Sequence, residues 1–289
     1  MTRYGNAVSL RQALEARLKQ QADDQGTDLS RLRRRVLFER VAARLAVLQP
    51  GRWILKGGAA MEFRLLDRAR ATKDLDLAVR SGDISGTALQ EELIESLVAD
   101  LDGDGFVFRV ASPSELRPDG AGRPAWRFGI EARLAGKTFA ALRLDAALRG
   151  EELAETDNLR LPGTLAFAGV PTPTVEAVHP RQHFAEKLHA LTRDFGGRPN
   201  TRVKDLVDLV LLIEMGLLPN EELVKVVRHV FRVRATHDLP TEINDPPPRW
   251  EIDYPVLARG LTPTVHFAEA MVLLRGFWAR AIILDGRES

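Results

Sequence analysis

Apolar residues recur at helical spacing in two stretches near the start of the chain, residues 8–22 and 28–48. In the second, Leu32, Val36, Leu37, Val41, Leu45 and Leu48 share a side, and Pro50-Gly51 marks its end. The pattern then shortens. Trp53-Ile54-Leu55 is an apolar run of strand length, followed by Gly57-Gly58 and a short helix from about 59 to 66. Leu75, Leu77 and Val79 alternate with Asp74, Asp76 and Ala78, the period of two of a strand with one buried face. A helix follows over 85–101, then strands around 106–110, 126–134 and 139–144, divided by turns such as Arg117-Pro118-Asp119-Gly120. Proline and glycine cluster over 162–180. Beyond them the apolar spacing is helical over 181–195, 203–216, 220–234 and 265–284, with a break across 238–249 that contains Pro240 and Pro246-Pro247-Pro248. The fold class expected is α+β. Residues 1–175, with helices at 8–48, form a mixed lobe, and residues 176–289 form a mainly helical one.

Composition narrows the class without naming it. With 289 residues, 45% hydrophobic and 28% charged, the chain can bury one large core or two moderate ones. It has no cysteine, which excludes disulfides, thiolate metal sites and cysteine nucleophiles. No run approaches the roughly 18–20 apolar residues of a membrane span, and the N-terminus lacks an apolar signal core. A cytoplasmic protein with no membrane partner is expected. Charge is unevenly spread. Residues 1–50 carry ten Lys/Arg against five Asp/Glu, residues 74–104 carry nine acids against Arg80 alone, and residues 181–234 carry ten bases against seven acids. Such segregation suits a nucleic-acid-binding enzyme with an acidic metal site, and equally suits solvated helix faces. The densest basic cluster, Arg31 with Arg33-Arg34-Arg35, reads first as a solvated face paired with Glu39 and second as an RNA backbone contact. Trp126, Trp250, Phe277 and Trp278 read first as core and second as platforms for stacked bases.

Candidate chemistry begins at Lys56-Gly57-Gly58. A strand, a double glycine and a helix start let backbone approach a phosphate and aim N–H groups at it, although glycine pairs also simply turn a chain. Asp74 and Asp76 project to the same side of a strand, and two adjacent carboxylates repel unless a cation or a proton intervenes. Oxygen ligands in that arrangement suit Mg²⁺; the alternative is a solvated strand face. Asp145 ends the strand pattern around 139–144, as a third metal ligand or as a strand-end turn residue. Two-metal phosphoryl transfer calls for about three carboxylates.

These residues resemble a known signature. Gly57-Gly58 followed by Thr72-Lys73-Asp74-Leu75-Asp76 is similar to the glycine-plus-DxD motif of the DNA polymerase β-like nucleotidyltransferase superfamily, and within it to the AbiEii/AbiGii toxin family, which includes the MenT-like toxins. The second half matches too. Glu186-Lys187 opens a motif that runs to Arg193, and Arg202-Val203-Lys204-Asp205-Leu206-Val207-Asp208 follows on the next helix. Without the resemblance, Lys187 reads as a surface cation and Asp205/Asp208 as first-turn carboxylates favoured by the helix dipole. The resemblance implies a polymerase β-like lobe with a mixed sheet, joined to a helical C-terminal lobe. It implies a toxin of a toxin–antitoxin or phage-defence pair that moves a nucleoside monophosphate from an NTP to RNA, such as the tRNA 3′ acceptor end. The partners implied are an NTP, the RNA and a cognate antitoxin protein, and the ion is Mg²⁺ or Mn²⁺. It assigns Asp74, Asp76 and Asp145 to the metal. It gives Lys56, Gly57, Gly58, Thr72, Lys187 and Asp205 to the nucleotide, and counts Lys187 and Asp208 with the catalytic set. Transfer to a protein hydroxyl or a small molecule, and a non-catalytic binding protein on the same fold, are the alternatives.

Overall fold

The computed structural model describes residues 4–81, 85–100, 102–117 and 123–285. The chain opens with α1 (Ala7–Gln25) and α2 (Leu29–Leu48). Asn6 and Asp28 cap them by accepting from the backbone N–H groups of Ser9 and Ser30, and Gly26, at φ +61°, ends α1 in the left-handed conformation. A mixed eight-stranded sheet follows. It comprises β1 (Trp53–Lys56), β2 (Asp74–Val79), β3 (Phe106–Val110), β4 (Ser114–Leu116), β5 (Ala125–Leu134), β6 (Lys137–Leu148), β7 (Thr156–Arg160) and β8 (Thr174–Val178). The strand order is β3-β5-β6-β2-β1-β8-β7, with β4 also on β5. The β2/β6 and β1/β8 pairs are parallel and the others antiparallel. Two helices interrupt the strands, α3 (Gly57–Leu65) and α4 (Gly86–Val98).

The alternation in β2 decides which face is which. Leu75 and Leu77 join Leu142 and Leu144 of β6 and Phe128 and Ile130 of β5 in one core, covered by apolar residues of α1 and α2. The interleaved residues of these strands lie on the opposite face. A second core belongs to the C-terminal half: α5 (Pro180–Thr192), α6 (Val203–Glu214), α7 (Glu221–Arg234), α8 (Trp250–Ala258) and α9 (Phe267–Asp285). Trp250, Phe277 and Trp278 are buried in it, as expected, and Met61 of α3 joins them from the first half. No helix of the described residues is long and apolar enough to cross a membrane.

Several elements differ from the sequence pattern. Helix α3 begins at Gly57 itself, because Gly57 and Gly58 already carry its first turn. Strand β6 runs three residues past Asp145, to Leu148, so Asp145 sits within a ladder and not at its end. Strands β7 and β8 flank and enter the proline- and glycine-rich stretch, and α8 carries Pro255 in its interior. The boundary expected near residue 175 falls inside β8, and the change to helices comes at Pro180. Of the expected turn at Arg117-Pro118-Asp119-Gly120, the last three residues lie outside the described residues.

The positive N-terminal segment and the acidic one after β2 neutralise each other in part within the fold. Buried Arg40 and Arg44 both reach Asp104 at 2.7 Å, and Arg40 also pairs with Asp102. Arg31 binds Glu62 at 2.8 Å and Arg33 binds Glu15 at 2.6 Å. Glu39 is not the partner of this cluster. It accepts from the backbone N–H groups of Gly163 and Thr164. Much of the charge that suggested an RNA surface in residues 1–50 therefore holds the lobe together.

Candidate active site

Cross-strand register assembles the site. Lys56 lies opposite Asp76, Asp76 opposite Asp145, and Asp145 opposite Arg127, so one row across four strands reads cation, acid, acid, cation. Neighbouring strands are only about 4.8 Å apart, which puts the two acids side by side. The next row of the same face carries Asp74 opposite Arg143. Arg127 grips Asp145 through two 2.7 Å hydrogen bonds, and Arg143 donates to Asp74 at 2.6 Å. Asp76 has neither a hydrogen bond nor an ion pair among the described residues. Burial, then the charge of Asp145, pushes its carboxyl up to about 6 from an ordinary 3.8, although Lys56 and Lys187 act the other way.

Gly57 explains the seclusion of Asp76. At φ +60° it holds a conformation that disfavours side chains, and a Cβ there would lie 2.0 Å from Asp76 Oδ2. A Cβ on Gly58 would lie 2.8 Å from Thr72 Oγ1. The glycine pair thus lets the N-terminus of α3 press onto the acid and onto Thr72.

From the helical half, Lys187 of α5 faces the row. Its Nζ lies 2.7 Å from both Asp205 and Asp208 of α6, and Arg70 binds Asp208 through two 2.9 Å hydrogen bonds. Burial lowers the basicity of Lys187, but Asp208 and Asp205 outweigh it and hold the ammonium above the ordinary lysine range. Lys187 is therefore a fixed cation at neutral pH. Lys56, at the end of the sheet row, pairs with Glu186 of α5 at 2.9 Å. The structure thus brings all the sequence-predicted site residues to one junction between sheet and helices. It adds Arg70, Arg127, Arg143 and Glu186, none of which had a role in the sequence reading.

Whether these side chains suit a divalent ion is a question of donors. Among the described residues no three Asp, Glu or His side chains converge on one point, because Arg127 and Arg143 hold two of the acids. Both arginines reach solvent, at 33% and 49% side-chain exposure, so these pairs are weak competitors for a doubly charged ion. Three carboxylates on one face of two adjacent strands, one of them without a partner, are the hard oxygen donors such an ion takes. The donor set fits.

His183, one turn before Lys187, is fully buried with both ring nitrogens unpaired. Burial, then Lys187, pushes its pKa down to about 3. Below pH 6.5 the unfolded chain binds a proton here that the native one refuses. Stability is thus present above 6.5 and lost as pH falls toward 3, at about 1.4 kcal/mol per pH unit. Between pH 7.5 and 5, His183→Leu is expected to lose about 2 kcal/mol less stability than wild type in urea unfolding. An identical pH dependence in both proteins would exclude this role for His183.

Residues 40–270 match the family described as nucleotidyl transferase AbiEii toxin, type IV toxin–antitoxin system. Among solved structures the chain is similar to JHP933 from Helicobacter pylori, at 12% identity and TM-score 0.49, over 89% of this chain and 94% of that one. It is also similar to an antigenic nucleotidyltransferase-like protein from Paracoccidioides brasiliensis, at 16% identity and TM-score 0.40, over 72% and 94%. No curated protein matches it by sequence.

Proposed function

Because the chain belongs to the AbiEii nucleotidyltransferase toxin family of type IV toxin–antitoxin systems, we propose that it moves a nucleoside monophosphate from an NTP onto the 3′ end of RNA, as on tRNA. Membership brings an NTP substrate and an antitoxin partner; the RNA acceptor and the ion are the parts proposed. The observation that carries the reading is the register that sets Asp76 beside Asp145, with Lys187 facing them from α5.

In the reaction the acceptor 3′-oxygen forms a bond to the α-phosphorus and loses its proton. The α–β phosphoanhydride bond breaks and pyrophosphate leaves. Asp74, Asp76 and Asp145 would hold a Mg²⁺ or Mn²⁺ ion, which would supply activation of the hydroxyl and neutralisation of the phosphates. Lys187 holds the β- and γ-phosphates as a permanent cation, and Asp205 and Asp208 set its position. Lys56, Thr72 and the N–H groups at the Gly57-Gly58 helix start complete the nucleotide cradle. Arg127 and Arg143, which now bind Asp145 and Asp74, would be placed to pair with phosphate oxygens once those carboxylates were engaged elsewhere.

Incubation with total RNA, magnesium and each labelled NTP in turn tests the acceptor. Label is expected on RNA, in the size range of tRNA, and periodate oxidation of the RNA 3′ end is expected to stop labelling completely. Label on periodate-treated RNA, or on protein alone, would move the acceptor elsewhere and leave the transferase chemistry standing.

A further inference from the structure

Beside the Lys187 network lies a concentration of cations that the transfer step does not use. A cavity of about 150 Å³ is lined by Arg149, His189, Arg193, Phe195, Arg202 and Arg234, among others. Arg149 and Arg234 are anchored at its base by the fully buried Glu152, at 3.7 and 2.6 Å. Two further arginines are less engaged. Arg202 is half exposed and 3.7 Å from Asp205, and Arg193 has no acidic partner among the described residues. Their guanidinium carbons each lie 5.9 Å from the centre of the Phe195 ring, which is itself partly exposed. The histidines add no charge. Burial first, then Arg234, pushes His189 down to about 3, and burial with Arg193 also lowers His237. They remain neutral in a field set by arginines.

Two chains of contact tie the cavity to the active site. Arg202 reaches Asp205, which holds Lys187 at 2.7 Å. Arg234 lies 3.9 Å from Glu186, which holds Lys56 at 2.9 Å. The cavity is thus one carboxylate away from each lysine of the site. Its size selects the ligand. Pockets for drug-sized ligands span roughly 300–1,000 Å³, so this one is sized for a phosphate group rather than a whole NTP. An aromatic ring flanked by arginines at a basic pocket is the arrangement that binds single-stranded nucleic acid, stacking on the bases and pairing with the backbone. The 193–202 loop, turned by Gly196 and Gly197 in the left-handed region, presents both.

We infer that this pocket holds a backbone phosphate of the acceptor RNA close to its 3′ end, with Phe195 as the platform for an adjoining base, while the NTP phosphates stay at Lys187. The inference rests on the RNA-acceptor reading for its substrate but concerns binding, so it is tested apart from transfer. The probe is a 12-nucleotide single-stranded RNA with a free 3′ hydroxyl, followed by fluorescence anisotropy across a salt series, with NTP affinity measured in parallel. Phe195→Ala is expected to weaken RNA binding about 5- to 150-fold. Arg193→Ala is expected to make the slope of log affinity against log salt shallower by about 0.7. Both variants are expected to keep wild-type NTP affinity and melting temperature. Undiminished RNA affinity in both, equal loss of NTP affinity, or a wild-type protein that binds no RNA would each overturn the assignment. RNA bound through Phe195 by an enzyme that labels no RNA would uphold the pocket and remove the acceptor proposal instead.

Discussion

Asp76→Asn is expected to lower nucleotidyl transfer by at least about 10³-fold and to leave the protein as stable as wild type or more so. The two effects share one cause. A metal-assisted phosphoryl transfer draws several kcal/mol of transition-state stabilisation from its ion, and each 1.4 kcal/mol lost is tenfold in rate. Asp76 is the acid of the row with no partner, next to Asp145 and under Gly57. Its carboxyl is carried up to about 6 by burial and then by Asp145, so ionising it at neutral pH costs the apo protein folding energy, on the order of 1–3 kcal/mol. Asparagine has the same shape without that cost. Asp74→Asn and Asp145→Asn release Arg143 and Arg127 from solvent-reaching pairs and are expected to change stability by less than about 1 kcal/mol. Initial rates with labelled NTP, and urea unfolding at pH 7.5 with chelator, check both halves. Transfer near the wild-type rate would place the chemistry elsewhere, and a clearly destabilised Asp76→Asn would make Asp76 a structural residue.

What the sequence disclosed about this site depended on the range of each interaction. The Asp-x-Asp alternation is local. Leu75 and Leu77 must face the core, so Asp74 and Asp76 must share the other face, and they do. Lys187 and its two aspartates were legible through a resemblance in motif, and their mutual 2.7 Å contacts require only that α5 and α6 pack. The arginines were not legible. Arg127 matters because β5 pairs with β6 in a register that sets it opposite Asp145, and Arg143 matters because β6 lies parallel to β2. No local pattern encodes a parallel pairing between strands separated by a helix and three other strands. Strand β8 was hidden for a similar reason. Pro171 and Pro173 signal a turn, and only the antiparallel pairing with β7 along its length, together with the parallel pairing of Ala177 with Leu55, draws the next five residues into the sheet. Charge segregation misled in one respect. Blocks of opposite sign at 1–50 and 74–104 suggested a surface for RNA, whereas Arg40 and Arg44 are buried against Asp104.

Lys187→Met is expected to abolish transfer and also to destabilise the fold, a combination that separates it from the Asp76 variant. Lys187 is almost fully enclosed, and Asp208 beside it has no exposed surface. Removing one partner of a buried ion pair leaves an uncompensated charge, which costs about 3–5 kcal/mol. Here Arg70 keeps its two bonds to Asp208, and Asp205 retains Arg202 at 3.7 Å, so the lower end of that range is expected. Lys187→Arg keeps the charge and most of the pairing, and is expected to stay within about 1 kcal/mol of wild type. It should still use NTP less well, since a planar guanidinium presents its donors differently from a compact ammonium. The decisive measurement is made where Lys187→Met is still folded, at low temperature and without denaturant. Under those conditions the KM for NTP is expected to rise and turnover to fall by more than about 100-fold, as removal of a buried charge–phosphate contact implies. A folded Lys187→Met that turned over NTP like wild type would reduce Lys187 to a tie between α5 and α6, and the grip on the triphosphate would then have to come from Lys56, Arg70 or the arginines of the sheet.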